Sequence, residues 1–329
     1  MPGLATFVLQ PFLAAMTWSC RWGSVLLAVG IFGGVVSPAL ASTFKLFVTP
    51  NVLVMMTLVL LRVDIPGTLA HLRRPGPVAV IVAFQMLACP VIAWAVMAPF
   101  TIEPGIAAGV VIFATGCAAA SSSAFARMVG LDAELSLVAT IGMLAVVPFT
   151  APVVALWLMG IDLSIGTAKF MGSLLIVVGL PMLASLLLRR VIGPVRLARW
   201  GDAVDGFLVW MVVFYGFAVM DGLQARIAAD PAWVIQALIA AFLADYGLNL
   251  VTTLALGPWG IRRAATAGMM SGNRNMALYL AVLPVSTDSR VTLFFGLAQF
   301  PLFLSPFLLK PLYRRLLKRD DVWRNRQKV

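Results

Sequence analysis

Of this chain's 329 residues, 61% are hydrophobic and only 11% charged, whereas roughly a quarter of a globular domain's residues carry charge. That composition excludes an ordinary water-soluble enzyme and describes a polytopic membrane protein. The net charge of +11 does not mark a nucleic-acid binder, because the basic residues fall in short gaps between apolar runs and in the tail Lys310 to Lys328. That placement suits anionic lipid headgroups.

The first ~20 residues are apolar but lack a basic leader and are interrupted by Pro11, so residues 1–21 read as an interfacial segment, not a cleaved signal. A bilayer-spanning helix needs ~20 mostly apolar residues. Ten segments meet that test: 22–41, 46–63, 76–98, 104–128, 133–158, 168–188, 203–221, 231–257, 261–284 and 290–312. No gap holds a soluble domain, which predicts a single transmembrane domain over 22–312 followed by a basic tail, 313–329. Three cysteines (Cys20, Cys89, Cys117) and the lone His71 lie far apart, with neither metal-ligand spacing nor a disulfide framework.

One set of gaps holds Arg21; Arg62, Arg73 and Arg74; Arg127; Arg189, Arg190, Arg196 and Arg199; Arg262 and Arg263; and eight basic residues from Lys310 onward. The opposite set holds Lys45, Lys169, Arg226 and Arg290. Nineteen against four predicts that both termini are cytoplasmic, in the cell (inner) membrane.

Interruptions recur in matching order. Span two ends in Val63-Asp64-Ile65-Pro66-Gly67 and span seven in Met220-Asp221-Gly222-Leu223; span five carries Pro148 and Pro152, span ten Pro301 and Pro306. Spans four and nine each hold a small, polar patch, Gly116 to Ser123 and Ser271-Gly272-Asn273-Arg274-Asn275. The expected fold is therefore an all-α membrane protein of ten transmembrane helices, arranged as two inverted five-helix repeats with broken helices four and nine at a midplane binding site.

Several side chains there could do chemistry. The hydroxyls of Ser121, Ser122 and Ser123 are donors and weak cation ligands, although small residues also serve close helix packing. Ser136 and Thr140 stand four apart on one face, where each could instead bond its own helix. Gln85 in span three is either packing glue or a ligand. Asp245 lies at membrane depth with Asn249 one turn on, and its expected partner is Arg274. That pair reads as a structural ion pair, or Asp245 as a proton carrier, or Arg274 as a clamp on an anion. Asp64, Asp132, Glu134, Asp202, Asp205, Asp221 and Asp288 lie at helix ends and read as solvated caps.

The run Leu61-Arg62-Val63-Asp64 through His71-Leu72-Arg73-Arg74-Pro75, then Gln85 and Cys89-Pro90-Val91-Ile92-Ala93-Trp94, resembles the bile acid:sodium symporter family. So does Gly116 to Ser123 followed by Leu135-Ser136-Leu137-Val138-Ala139-Thr140 and Pro148. The resemblance covers about residues 25 to 315. It implies a panel domain (22–63 and 168–221) and a core domain (76–158 and 231–312), with crossed helices four and nine in the core and substrate between the domains. It also implies that Ser122, Ser136 and Thr140 are candidate ligands of a first sodium ion, with Ser123 replacing the usual asparagine, and that Gln85 belongs to a second ion site. The family's helix-nine motif, Glu-x-Gly-x-Gln-Asn, here reads Met270-Ser271-Gly272-Asn273-Arg274-Asn275: Gly272 and Asn275 agree, the carboxylate is gone, and Arg274 replaces the glutamine.

A guanidinium in a cation site repels sodium. The expectation is thus a secondary transporter of a small organic anion, without a cofactor, in which Arg274 weakens or replaces sodium coupling and a proton is the other candidate ion. Site candidates are Gln85, Ser122, Ser123, Ser136, Thr140, Asp245, Asn273, Arg274 and Asn275. An arsenite-extruding relative of the same fold, suggested by Cys117 in span four, and a non-transporting sensor or scaffold are the alternatives. A membrane enzyme is disfavoured, because the chain offers one intramembrane carboxylate and a lone histidine.

Overall fold

The structure, a computed structural model, describes residues 11, 13–19, 22–63, 75–159, 166–283 and 287–326. Most of the segment 1–21, together with Cys20, Arg21, Asp64, His71, Arg73 and Arg74, lies outside the described residues. The described chain is all-helical: α1 (Gly23–Val36), α2 (Pro38–Lys45), α3 (Val48–Leu61), α4 (Gly76–Met97), α5 (Pro104–Thr115), α6 (Ser122–Val129), α7 (Ala133–Met159), α8 (Thr167–Ile192), α9 (Pro194–Arg199), α10 (Gly201–Val219), α11 (Leu223–Ala229), α12 (Pro231–Ala255), α13 (Ile261–Gly272), α14 (Met276–Val282), α15 (Ser289–Leu297) and α16 (Gln299–Arg326). Among the described residues there is no strand, only an isolated antiparallel bridge between Ala118 and Arg274.

Among the described residues, six helical stretches are long and apolar enough to cross a membrane: Gly76–Met97, Ala133–Leu158, Thr167–Ile192, Gly201–Ala229, Pro231–Ala255 and Ser289–Lys318. The rest of the apolar sequence is divided more finely than expected. The segment 22–41 is not one straight helix. Pro38 disfavours helical backbone at Ser37 (φ −119°, ψ 76°), and α2 leaves α1 at 111°. The segment 46–63 holds a helix of only 14 residues. At the other end, α16 carries helix through 313–326, most of the stretch expected as a tail.

The chain divides into two compact units. The first comprises Met1–Val63, Leu175–Pro231 and Leu280–Val282. In it Gly30 and Gly34, one turn apart on α1, lie against the α10 backbone; a Cβ at either would stand 2.8 Å from Val213 O or Phe217 O. Small residues at this spacing let two helix backbones approach closely. Arg189 donates from Nη2 to the carbonyls of Leu60, Leu61 and Val63 and so closes the C-terminus of α3.

The second unit comprises Asp64–Leu174, Ala232–Tyr279 and Leu283–Val329, and it holds every candidate site residue. Glu103 fastens three of its helices at one end. Glu103 Oε2 accepts from Ile106 N (2.9 Å), capping α5 behind Pro104, and from Trp233 Nε1 on α12 (3.0 Å); Oε1 accepts from Arg290 Nη1 on α15. Burial alone would raise its pKa, but donors from Trp233, the Gly105 and Ile106 amides and Arg290 outweigh that and hold it at about 2, below the ordinary 4.5.

Candidate functional site

Two interrupted helices meet back to back. After α5, Gly116 turns extended (φ −65°, ψ 152°), and helix resumes at Ser122; after α13, Asn273 (φ −87°, ψ 76°) and Asn275 (φ −86°, ψ 85°) leave helical geometry before α14. In hydrocarbon the amides and carbonyls freed by such breaks need protein partners. Each break supplies the other's: Ala119 N donates to Asn273 O (2.7 Å) and Asn275 N to Cys117 O (2.9 Å). Gly116 allows the approach, since a Cβ there would stand 2.9 Å from Met276 Cε. Beyond the breaks, the Tyr279 hydroxyl on α14 meets Thr115 Oγ1 at the end of α5 (2.8 Å), while Thr115 itself donates to Ile112 O.

Arg274 fills the crossing and is the largest fully buried side chain among the described residues, at 0% exposure. Its Nε donates to Ser271 O (2.7 Å), Nη1 to Gly116 O (2.5 Å) and Nη2 to Gln85 O (3.3 Å). Ser271 O and Gly116 O lie at the C-terminal ends of α13 and α5, where helix dipoles concentrate negative charge. The third carbonyl is available because of a local defect in α4. Residues Phe84–Ala88 form a π-helical turn in which Cys89 N reaches back to Phe84 O, and the next residue, Pro90, has no N–H. Gln85 O therefore has no donor within its own helix. The guanidinium supplies one.

The neighbouring amides extend this network. Asn273 Nδ2 donates to Ser122 Oγ (2.9 Å), and Gln85 Nε2 donates to Ala267 O on α13 (2.9 Å). Asn275 joins through its backbone bond to Cys117. The structure thus brings together Gln85, Ser122, Asn273, Arg274 and Asn275. Thr140 behaves as a helix-bonded threonine, its hydroxyl donating to Ser136 O (2.8 Å). Ser136 Oγ is buried without a hydrogen-bond partner, and Ser123 is half-buried on α6 with no described bond.

Asp245 stands beside the crossing but does not pair with its arginine. No ion pair within 4.0 Å joins Asp245 to Arg274, which corrects the pairing expected from the sequence. The reason is geometric: the guanidinium faces three backbone carbonyls. Asp245 is instead pressed against Gly272, where a Cβ would collide with its Oδ1 and its carbonyl oxygen. One turn earlier, a Cβ on Gly268 would stand 2.5 Å from Asn249 O. Gly268 and Gly272 thus form a Gly-x-x-x-Gly contact laid on Asp245 and Asn249, and the Ser271 hydroxyl, 2.9 Å from Leu248 O, ties the same faces. Asn249 Nδ2 donates to Tyr313 Oη (2.7 Å), which donates back to Asn249 Oδ1 (3.0 Å).

Sequence reasoning gave no site role to Pro90, the Gly268-to-Gly272 spacing or Tyr313. The first two carried a readable signal, a proline five residues after Gln85 and two glycines four apart. Tyr313, in the stretch expected as tail, did not. Among the described residues, four of the candidates keep a buried side-chain oxygen with no hydrogen-bond partner: Gln85 Oε1, Ser136 Oγ, Asp245 Oδ2 and Asn273 Oδ1. Among the described residues no three His, Cys, Asp or Glu side chains gather as for a metal ion. Ser122 Oγ already receives the Asn273 N–H.

Residues 49–229 match the sequence model of the Sodium Bile acid symporter family. The matched stretch includes Gln85, Ser122, Ser123, Ser136 and Thr140 and ends before Asp245 and Arg274. A comparison with curated proteins finds no match.

Proposed function

The chain belongs to the sodium bile acid symporter family, and from that premise we propose that it is a secondary transporter of a small organic anion in which Arg274 is a built-in cation. The observation that carries this reading is the Arg274 geometry. A guanidinium held by Ser271 O, Gly116 O and Gln85 O occupies the carbonyl-lined ends of broken helices, the kind of place where transporters of this architecture hold a coupling cation. Its permanent charge disfavours a sodium ion beside it and favours an anion nearby. Sodium coupling is accordingly weakened or replaced.

The organisation we infer is ten membrane spans in two inverted repeats, working by alternating access. The six long helices, plus α1–α2, α3, the broken α5–α6 and the broken α13–α14, give that number. The division into two compact units supports panel and core parts, and the nineteen-to-four distribution of basic residues supports cytoplasmic termini in the cell membrane.

The test is solute counterflow in proteoliposomes with a panel of small carboxylates and sulfonates. The proposal expects exchange of at least one of them in sodium-free buffer. Exchange that requires sodium would overturn the Arg274 assignment; binding without any exchange would indicate a sensor of the same fold.

A further inference from the structure

With Arg274 committed to carbonyls, one acid at the crossing has no role. Asp245 is 1% exposed, and its Oδ2 has no hydrogen-bond partner. The groups that face it are few. From the break in α13 come Gly272, in contact, and Arg274, near enough for its charge to act on the carboxyl but not bonded to it. From α16 comes Tyr313, on which the charge of Asp245 acts in turn. From its own helix come Asn249 and Tyr246, whose hydroxyl points away to Pro301 O (3.4 Å). Further along the same helix, Thr252 meets Cys89 Sγ of α4 (3.6 Å). None of these neutralises the carboxyl by direct contact.

Two of them line up beyond it. Asn249 lies one helical turn from Asp245, so the two side chains share a face with their Cβ atoms roughly 5–6 Å apart. Asn249 in turn exchanges hydrogen bonds with Tyr313. Tyr313 belongs to an apolar knot of Ala126, Val129, Leu131, Ala265, Met269 and Leu317, and this knot lies at the end of the unit that carries the exposed Arg127, Arg262, Arg314 and Lys318. An acid, an amide and a phenol therefore run in order from the crossing toward the basic end of this unit.

We propose that Asp245 is the protein's proton-binding site, loaded and unloaded through Asn249 and Tyr313, and that this proton replaces sodium as the coupling ion. This rests on the transport reading above. In the loading step a hydronium ion from the basic face passes Tyr313 and Asn249, whose polar atoms can hydrogen-bond it on the way and which keep their own protons; one O–H bond of the hydronium breaks to leave water, and an O–H bond forms at Asp245 Oδ2. Unloading is the reverse. Because Arg274 keeps its charge throughout, the Asp245–Arg274 region alternates between net zero and net +1. An anion then binds better to the protonated form, and by reciprocity the anion strengthens proton binding by the same factor. That is the thermodynamic content of proton–anion symport. A coupling of roughly 5–150-fold is the usual range for such linked sites.

The test reads protonation without transport. Infrared pH-difference spectra of the purified full chain should show a carboxylic-acid C=O band that responds to pH, is lost in Asp245→Asn and moves in frequency in Asp245→Glu. In Tyr313→Phe the band should remain while its pH-jump response slows at least about tenfold. No titrating band, or one unchanged in both Asp245 variants, would overturn the proposal, as would an unaltered rate in Tyr313→Phe. If Asp245→Asn does not fold, the frequency shift in Asp245→Glu makes the same assignment. In counterflow, an anion affinity that rises on acidification in wild type and is flat in Asp245→Asn supports symport. Wild-type protein that shows the band yet moves no organic anion sinks the transport reading and leaves the proton site standing.

Discussion

Arg274 Nη1 donates to Gly116 O across the paired breaks, so the cation of one interrupted helix closes the C-terminus of the other. Together with the bonds to Ser271 O and Gln85 O, this makes a single side chain the keystone of three chain segments.

Replacing that side chain by a lysine tests the fork rather than the charge. Lysine keeps the positive charge, but its compact ammonium cannot span three carbonyls as a planar guanidinium does. At least two acceptors are then left unpartnered in a buried site, at roughly 1–3 kcal/mol each. Arg274→Lys should lower the melting temperature by several degrees and impair anion exchange. A variant with wild-type stability and exchange would mean that charge alone suffices.

Gly272 and Gly247 make a matched pair. A Cβ on Gly272 runs into the backbone carbonyl of Asp245, whereas one on Gly247 of α12 meets nothing within 4 Å. Overpacking of this kind costs typically 1–3 kcal/mol, about the opposite of the ~0.5–1 kcal/mol gained when an unhindered helical glycine becomes alanine. Gly272→Ala should therefore melt lower than wild type and Gly247→Ala no lower. Equal melting temperatures for the two variants would contradict the close packing of α13 on α12.

Glu103 gives the second unit an acid-sensitive fastening. Its folded pKa of about 2 lies below the ordinary 4.5, so the group's contribution is present above 4.5 and drains away as the pH falls toward 2. Glu103→Gln keeps the shape but removes the charge facing Arg290. The variant should melt lower than wild type at neutral pH, and the gap should close on acidification. A gap that persists at the acid end would show that the carboxylate's charge is not what fastens these helices.

Much of this arrangement was legible in the sequence. Apolar length marked the six long spans, and small polar patches inside apolar runs marked the two breaks, because lipid tolerates neither exposed amides nor an unscreened arginine. The partner of Arg274 was not legible. Sequence reading pairs a charge with a charge, and Asp245 was the one at hand, whereas backbone carbonyls carry no residue signature. Only the loss of the Pro90 N–H hinted at a free one. The bend at Pro38 was hidden by the continuous hydropathy around it. The helix through 313–326 was hidden by its basic residues, although Tyr313 and Leu317, four apart, are the face that packs. The self-bonding of Thr140 is the ordinary behaviour of a threonine in a membrane helix, but the direction of the Asn273 amide cannot be read from residue type.

The most direct measurement is the melting temperature of the detergent-purified protein in sodium chloride against choline chloride at matched ionic strength. An ion that binds only the folded state raises the midpoint saturably by mass action. With Arg274 as the built-in cation, the two salts should give the same midpoint at every concentration. A saturable rise in sodium would show that the hydroxyls of Ser122, Ser136 and Thr140 still hold an ion beside Arg274, and would contradict the account.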